Sequence, residues 1–371
     1  MTMTATRLDE NILLTADNCR YCLMCRHVCP IGHVTGLETL TPHGWGLMIA
    51  SNRRGLLTWN DESVFKLYSC ADCGTCRAHC VTDQPLPETI ATARAQVVEA
   101  GLAPPAVGRV AEMLQRWQNP YEEQAPEPVE GRGEVALFVG DEATYLRPGL
   151  LDAALKLLEA AGIRPVLIGR GRSNGYVASS LGLIEIAHDL ARANLEDLAA
   201  SGARRLLVLS PGDFFAFKQL YPERLQLSLP DSVDLSEVTV LLAQALDRGE
   251  LAFEPLPPGP PHAYVDPSHS VRVKTRYDAP RKLLAAVIPA PPVELFWRRE
   301  RTHPVGSTAL KFTIPQFADH LTWARLGDAR QAGAQRLISE DAGTLKALGD
   351  HAARFGVEVL SLYELLASQL R

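Results

Sequence analysis

The sequence predicts an α+β multidomain fold: an all-helical N-terminal domain followed by a duplicated α/β domain with parallel sheet. Three observations carry this expectation. All eight cysteines fall within the first 80 of 371 residues, in two runs. Apolar spacing is helical as far as Trp117, and after Glu134 it changes to strands alternating with helices. Two proline-rich stretches, 122–133 and 255–261, interrupt the chain where the pattern changes. The expected divisions are a helical domain at 1–121, a linker at 122–133, a first α/β repeat at 134–254 and a second at 262–371.

The cysteine runs read Cys19-x-x-Cys22-x-x-Cys25-x-x-x-Cys29-Pro30 and Cys70-x-x-Cys73-x-x-Cys76-x-x-x-Cys80. Their internal spacing is identical, and it is the bacterial ferredoxin pattern for a [4Fe-4S] cluster, written twice. Three cysteines at three-residue intervals form a loop that can wrap three corners of a cubane, with backbone N–H groups offsetting its charge. The fourth, followed by proline in the first run, cannot easily fold back to its own loop. In two-cluster ferredoxins that cysteine ligates the other cluster. The expected ligand sets for two [4Fe-4S] clusters are therefore Cys19, Cys22, Cys25 and Cys80 for one, and Cys70, Cys73, Cys76 and Cys29 for the other. Disulfides fit poorly with a long chain whose cysteines are crowded into two runs. Zinc sites use paired C-x-x-C knuckles, a different layout.

Composition limits the remaining classes. A net charge of −6 argues against a general nucleic-acid binder. No apolar run approaches the length of a membrane span. Met1–Leu14 carries Arg7, Asp9 and Glu10 and lacks a signal-peptide core. The expectation is a cytoplasmic protein that reaches the inner face of a membrane only through partners.

The elements follow in order. Residues 1–18 read as an arm and short helix. Short helices are expected around Gly44–Ile49 and Val64–Tyr68, with Trp45, Trp59 and Tyr68 as core or cluster-covering residues. Helices follow at Pro87–Ala100, which ends at Gly101, and at Ala106–Trp117. The first α/β repeat reads as a strand at Val135–Val139, a helix at Gly149–Ala161, a strand at Arg164–Ile168, a helix at Leu195–Ser201 and a strand at Arg205–Ser210. The second reads as a strand at His262–Val265, helices at Arg281–Val287 and Pro315–Ala332, a strand at Gln335–Ser339, a helix at Glu340–Phe355, a strand at Val357–Leu360 and a helix at Leu362–Leu370. Strand–helix alternation implies parallel sheet with covering helices.

With these residues laid out, the chain resembles the iron–sulfur subunits related to heterodisulfide reductase, among them those of glycolate oxidase and anaerobic glycerol-3-phosphate dehydrogenase. The resemblance rests on the doubled cysteine run, Asn119-Pro120-Tyr121, Ala136–Gly140 with Leu157–Gly162, and Tyr264–Arg272. Members of that family carry Cys-Cys-Gly motifs in both α/β repeats. Here Ser268 stands where a cysteine would follow Asp266-Pro267, and neither Arg170–Gly175 nor His303–Gly306 contains a cysteine. The resemblance thus implies a retained scaffold whose additional cysteine sites are lost.

Weaker constellations remain. Gly169-Arg170-Gly171-Arg172-Ser173-Asn174-Gly175 could be a nucleotide loop or simply a glycine turn with solvated arginines. Asp266, His269, His303 and His320 could hold a single metal or be unrelated hydrogen-bonding groups. Arg26 and Arg77, each directly after a third cysteine, could raise cluster potentials or guide an acidic partner.

The expected function is an electron-transfer subunit rather than an independent catalyst. It would relay single electrons between a partner flavoprotein and a quinone or other acceptor through two clusters. The resemblance implies an FAD-dependent dehydrogenase as partner, with FAD on that partner and not on this chain, and a membrane quinone-reducing protein or an electron-transfer flavoprotein beyond it. The alternative is a cluster-bearing binding, assembly or redox-sensing protein whose α/β domain docks partners.

Overall fold

The computed structural model describes residues 10–20, 22–272 and 276–371. The arm expected at residues 1–9 lies outside them. The described chain combines numerous helices with two small parallel sheets, which is an α+β arrangement.

After a 3₁₀ helix at Glu10–Asn18 come α1 (Met24–His27), α2 (Pro30–Thr35), α3 (Pro42–Arg53), α4 (Asp61–Tyr68), α5 (Thr75–Ala78), α6 (Leu86–Glu99) and α7 (Pro105–Trp117). Proline occupies the first turn of α2, α3, α6 and α7, where its missing N–H has no helical partner to lose. A reciprocal capping box between Asn60 and Ser63 starts α4. Trp45 is buried and donates its indole N–H to Lys66 O at 2.7 Å. Tyr68 is equally buried and donates to Leu181 O at 2.9 Å.

The first sheet contains β1 (Val135–Val139), β2 (Val166–Arg170), β3 (Arg205–Val208) and β4 (Asp234–Glu237), in the order β2-β1-β3-β4. The second contains β5 (His262–Tyr264), β6 (Arg336–Ser339) and β7 (Glu358–Ser361), in the order β5-β6-β7. All pairings are parallel. Four differences from the sequence reading stand out. β2 begins two residues later than expected. The helix expected from Leu195 begins at Ile184, because Ile184, Ala187, Leu190 and Ala191 continue its buried face. The short helix Tyr176–Leu181 was not anticipated. Nor was β4, whose Asp-Leu-Ser-Glu has little strand propensity and is held as an edge by its ladder to β3.

Strand alternation sorts the core into layers. Ala136, Phe138, Leu206 and Val208 join the N-terminal helices in one cluster. Their neighbours Leu137, Val139, Leu207 and Leu209 face the other way and meet Tyr264 and Ile338 of the second sheet. Ala263, Val265 and Leu337 form a third cluster behind that sheet. Residues 122–133 have no regular structure, yet they bind the first sheet region: Glu127 N–H donates to Arg170 O at 2.9 Å, and Gly133 N–H to Ser201 O at 3.0 Å.

Candidate cofactor site

The two cysteine runs fold alike. After the second cysteine of each comes a residue with left-handed backbone, Leu23 (φ 62°) or Gly74 (φ 85°). One helical turn follows, α1 or α5, which carries Cys25 or Cys76. The fourth cysteines close each turn, with Cys29 N–H donating to Arg26 O at 3.3 Å and Cys80 N–H to Arg77 O at 3.1 Å. Glycine is required at the second of these positions, because a Cβ on Gly74 would lie 2.6 Å from Arg272 Nε. Cys29 caps α2, and with Pro30 as its first residue that helix carries the chain away from the loop.

The thiols line two cavities. The outer is lined by Cys19, Cys22, Cys25 and Cys80, and also by Cys76. The inner is lined by Cys29, Cys70, Cys73 and Cys76. Cys22 is exposed, whereas Cys29, Cys70 and Cys73 are buried. All eight cysteines are free of disulfides.

Burial, then the nearness of Cys19, Cys80 and Cys22, pushes the Cys25 thiol up to about 11. Burial likewise pushes Cys70 up to about 12, and holds Cys29 well above the ordinary thiol value, with Cys73 and Cys70 adding to it. Cys76 is raised well above that value by burial and then by Cys73, Cys70, Cys29 and Cys25. At the surface the balance reverses. Burial raises Cys80, but the Thr82 hydroxyl and the Gln84 and Thr82 amides outweigh it, so the thiol is lowered. Several sulfurs already have partners. Gly32 N–H donates to Cys29 Sγ at 3.5 Å and Asp72 N–H to Cys70 Sγ at 3.3 Å, and the Thr75 and Thr82 hydroxyls lie 3.3 Å from the sulfurs of Cys73 and Cys80. Among the described residues, no group of three or more His, Cys, Asp or Glu side chains is gathered for a single metal ion. Sulfur ligands walling a cavity, with N–H and O–H groups beside them, are the donor chemistry that a cubane iron–sulfur cluster takes.

The weaker candidates resolve differently. Asp266 is engaged by Arg281 at 3.0 and 2.8 Å and by Arg299 N–H at 3.0 Å. His269 stacks on Phe215, while His303 stacks on Trp297 and contacts Val28 O at 3.1 Å. His320 packs beside Phe317 and Trp323. These four do not assemble a metal site. In the glycine loop, Arg170 pairs with Glu127, and Arg172 with Asp197 and Gln118, so both guanidinium groups are engaged within the protein, although Arg170 Nε–H has no hydrogen-bond partner there. Arg26 pairs with Glu38 at 2.5 Å, and Arg77 with Asp83, Glu223 and Glu88.

A third cavity lies between the two sheets. Ser173, Asn174, Ser268 and Ser307 line it together, with Ser268 Oγ 3.1 Å from Ser307 Oγ. Two of the places where the resemblance implies lost cysteines, 170–175 and Ser268, therefore meet here, beside Ser307, which directly follows the third. Asp141, Asp213 and Asp341 complete its walls.

Sequence reasoning missed a buried ionic cluster beside the inner cavity: Asp72, Glu88, Arg224 and Arg272. The one available signal was an aspartate inside a cysteine run. Its partners lie 152 and 200 residues further on.

No model of a protein family matches the chain. A subunit of the dihydromethanophenazine:CoB–CoM heterodisulfide reductase of Methanosarcina barkeri is 25% identical over 329 residues, covering 84% of this chain and 79% of that protein. The equivalent subunit from Methanosarcina mazei, which carries the same name, is 24% identical over 357 residues, covering 88% and 87%. A crystal structure of a hypothetical protein from Helicobacter pylori superposes with a TM-score of 0.64 at 12% identity, covering 91% of this chain and 70% of that one, a likeness of fold. With the doubled cysteine run, the chain is similar along most of its length to subunits of heterodisulfide reductase.

Proposed function

We propose that this chain is the iron–sulfur electron-transfer subunit of a multi-subunit oxidoreductase. Cys19, Cys22, Cys25 and Cys80 would hold one [4Fe-4S] cluster at the outer cavity. Cys70, Cys73, Cys76 and Cys29 would hold a second at the inner cavity. Such clusters supply one-electron redox chemistry when bound. The observation that carries the reading is the crossed grouping: Cys80 lines the cavity of the first run, and Cys29 that of the second.

The chain's own residues account for the rest. The Gly32 and Asp72 amides and the Thr75 and Thr82 hydroxyls steady the sulfur charge. Buried Trp45 and Pro87 wall the inner cavity against water. Exposed Cys22, with Met24 and Leu47 on the rim, makes the outer cavity the point of exchange with a partner. Residues 1–121 would form the cluster-bearing domain. The repeats at 134–254 and 262–371, joined through the 122–133 linker, would form its docking platform. The relatives are named as subunits of a reductase, which supports partner subunits here as well. The partner we propose is an FAD-dependent dehydrogenase, with a quinone or other acceptor beyond it. No helix among the described residues is long and apolar enough to cross a membrane, so membrane contact would come through a partner.

The test is anaerobic reconstitution followed by iron and sulfide analysis. The ligand count predicts about eight irons and eight sulfides per chain, with two cubane signals on reduction. Four irons or fewer would refute the two-cluster reading.

A further inference from the structure

The second cysteine run carries an acid between its first two cysteines, Asp72, and the fold buries that acid completely. Arg224 grips it with two nitrogens, at 3.2 Å to each carboxylate oxygen. Arg272 reaches it at 2.9 Å and also donates to the Asp72 carbonyl at 2.7 Å. Both guanidinium groups extend to Glu88 of α6, at 3.3 and 3.2 Å. The side chains of all four are at most 5% exposed. Both arginines come from the region without cysteines, Arg224 preceding β4 and Arg272 following β5.

Arg272 is the closer of the two to the thiol loop. Its guanidinium presses on Gly74, next to Cys73, and lies 4.3 Å over the Phe215 ring. Its Nε–H is buried and has no hydrogen-bond partner within the protein. Together with Arg224, Arg272 offsets the charges of Asp72 and Glu88, and because little water screens these buried groups, removing its charge alone would leave the surroundings of the loop more negative. Among the described residues the outer cavity has no buried arginine beside it: Arg20 lines it from an exposed position, and Arg26 is paired with Glu38 at the surface, where screening is strong.

We propose that Arg272 is a positioning residue for the inner cofactor site, holding Asp72 and its loop against Cys73 and raising the reduction potential of the group bound by Cys29, Cys70, Cys73 and Cys76 relative to the outer one. The sign follows from charge: the reduced form is the more negative, and a fixed buried cation favours it. Electrons entering at the outer site would then settle inward, and the region that has lost its cysteines would set the direction of transfer. This inference rests on the two-cluster reading above.

The experiment is a redox titration of the full-length, reconstituted protein, followed by electron paramagnetic resonance. The unaltered protein should show two reduction steps. Arg272→Gln should lower one of them by about a tenfold change in the reduced-to-oxidised ratio, about 59 mV for one electron, and leave the other in place. Arg272→Lys, which keeps the charge, should restore most of that step. Asp72→Asn should move the same step upward, and together with Arg272→Lys it decides the matter if the glutamine variant does not hold iron. Steps that stay put in all the variants, or that move together, overturn the inference. Protein that binds iron and sulfide normally but shows no selective shift fails this inference alone. Protein that binds neither in any form fails the two-cluster reading and this inference with it.

Discussion

Arg94 in α6 donates a guanidinium N–H to the carbonyl oxygen of Cys70 at 2.7 Å, fixing the entry to the second cysteine run. The same side chain reaches Leu67 O at 2.8 Å and Ser180 O at 2.7 Å, and lies 5.0 Å over the Tyr68 ring. It is 2% exposed. Its acceptors are carbonyls and a hydroxyl, so its role is to satisfy backbone where α4 ends. Arg94→Met leaves those acceptors buried without donors and should cost about 3 kcal/mol or more. The denaturant midpoint should fall accordingly, and the inner site should lose iron before the outer.

Gly182 ends the short helix Tyr176–Leu181 with φ 86°, pressed against the backbone of α6. A Cβ there would lie 2.6 Å from Ala95 N and from Arg94 C. Because both are main-chain atoms within a helix, neither can move aside. Gly182→Ala should destabilise the protein by about 2–4 kcal/mol, combining overpacking with left-handed strain. Gly349→Ala, with open space at its Cβ, should cost little or add stability. Thermal unfolding of the two variants side by side checks this.

The cavity between the sheets makes stability depend on pH. Burial raises the carboxyl of Asp213 from 3.8 to about 8, against the hydrogen bonds of Asn174 and Ser210. Burial and then Glu142 raise Asp141 and Asp341 to about 7. The folded protein therefore holds protons that the unfolded chain releases. Its stability from these groups is complete below about pH 4 and is lost as pH rises through about 7–8. The melting temperature should fall across that window, and Asp213→Asn should flatten the fall and raise the value at about pH 8. A variant whose slope matches the parent's would reject this account.

The proposed crossed ligand sets can be tested with single substitutions. Cys29→Ser should remove the same cubane signal as Cys70→Ser, although the two lie in different runs. Cys80→Ser should remove the one lost in Cys19→Ser. Pairing within runs, with Cys29→Ser matching Cys19→Ser, would show that each run closes on its own cluster. Iron content falling to about half in every case is expected.

Much of this architecture could be read along the chain. The expected bounds of β1 at Val135–Val139 and of the helix Pro315–Ala332 coincide with the observed ones, because continuous apolar periodicity runs between clear breakers. The strand β4 escaped because Asp234, Ser236 and Glu237 carry no strand signal; its neighbour β3 imposes the conformation. The proposed metal ligands Asp266 and His303 were misleading for a related reason. Residue type suggests a donor, but whether a donor is free depends on what packs against it, here Arg281 and Trp297.

The sequence by itself determined the chemistry available: eight thiols in two equal runs, and none beyond Cys80. Spacing within ten residues is local information, and left-handed backbone at Leu23 and Gly74 turns it directly into two like loops. Only the tertiary structure decided which run lies inside, with Cys22 at the surface and Cys73 buried. It also brought Arg224 and Arg272 to Asp72 from 152 and 200 residues away. Nothing local marks such a pairing. It exists because burying a carboxylate is tolerable only where the fold delivers its counter-charges to the same place.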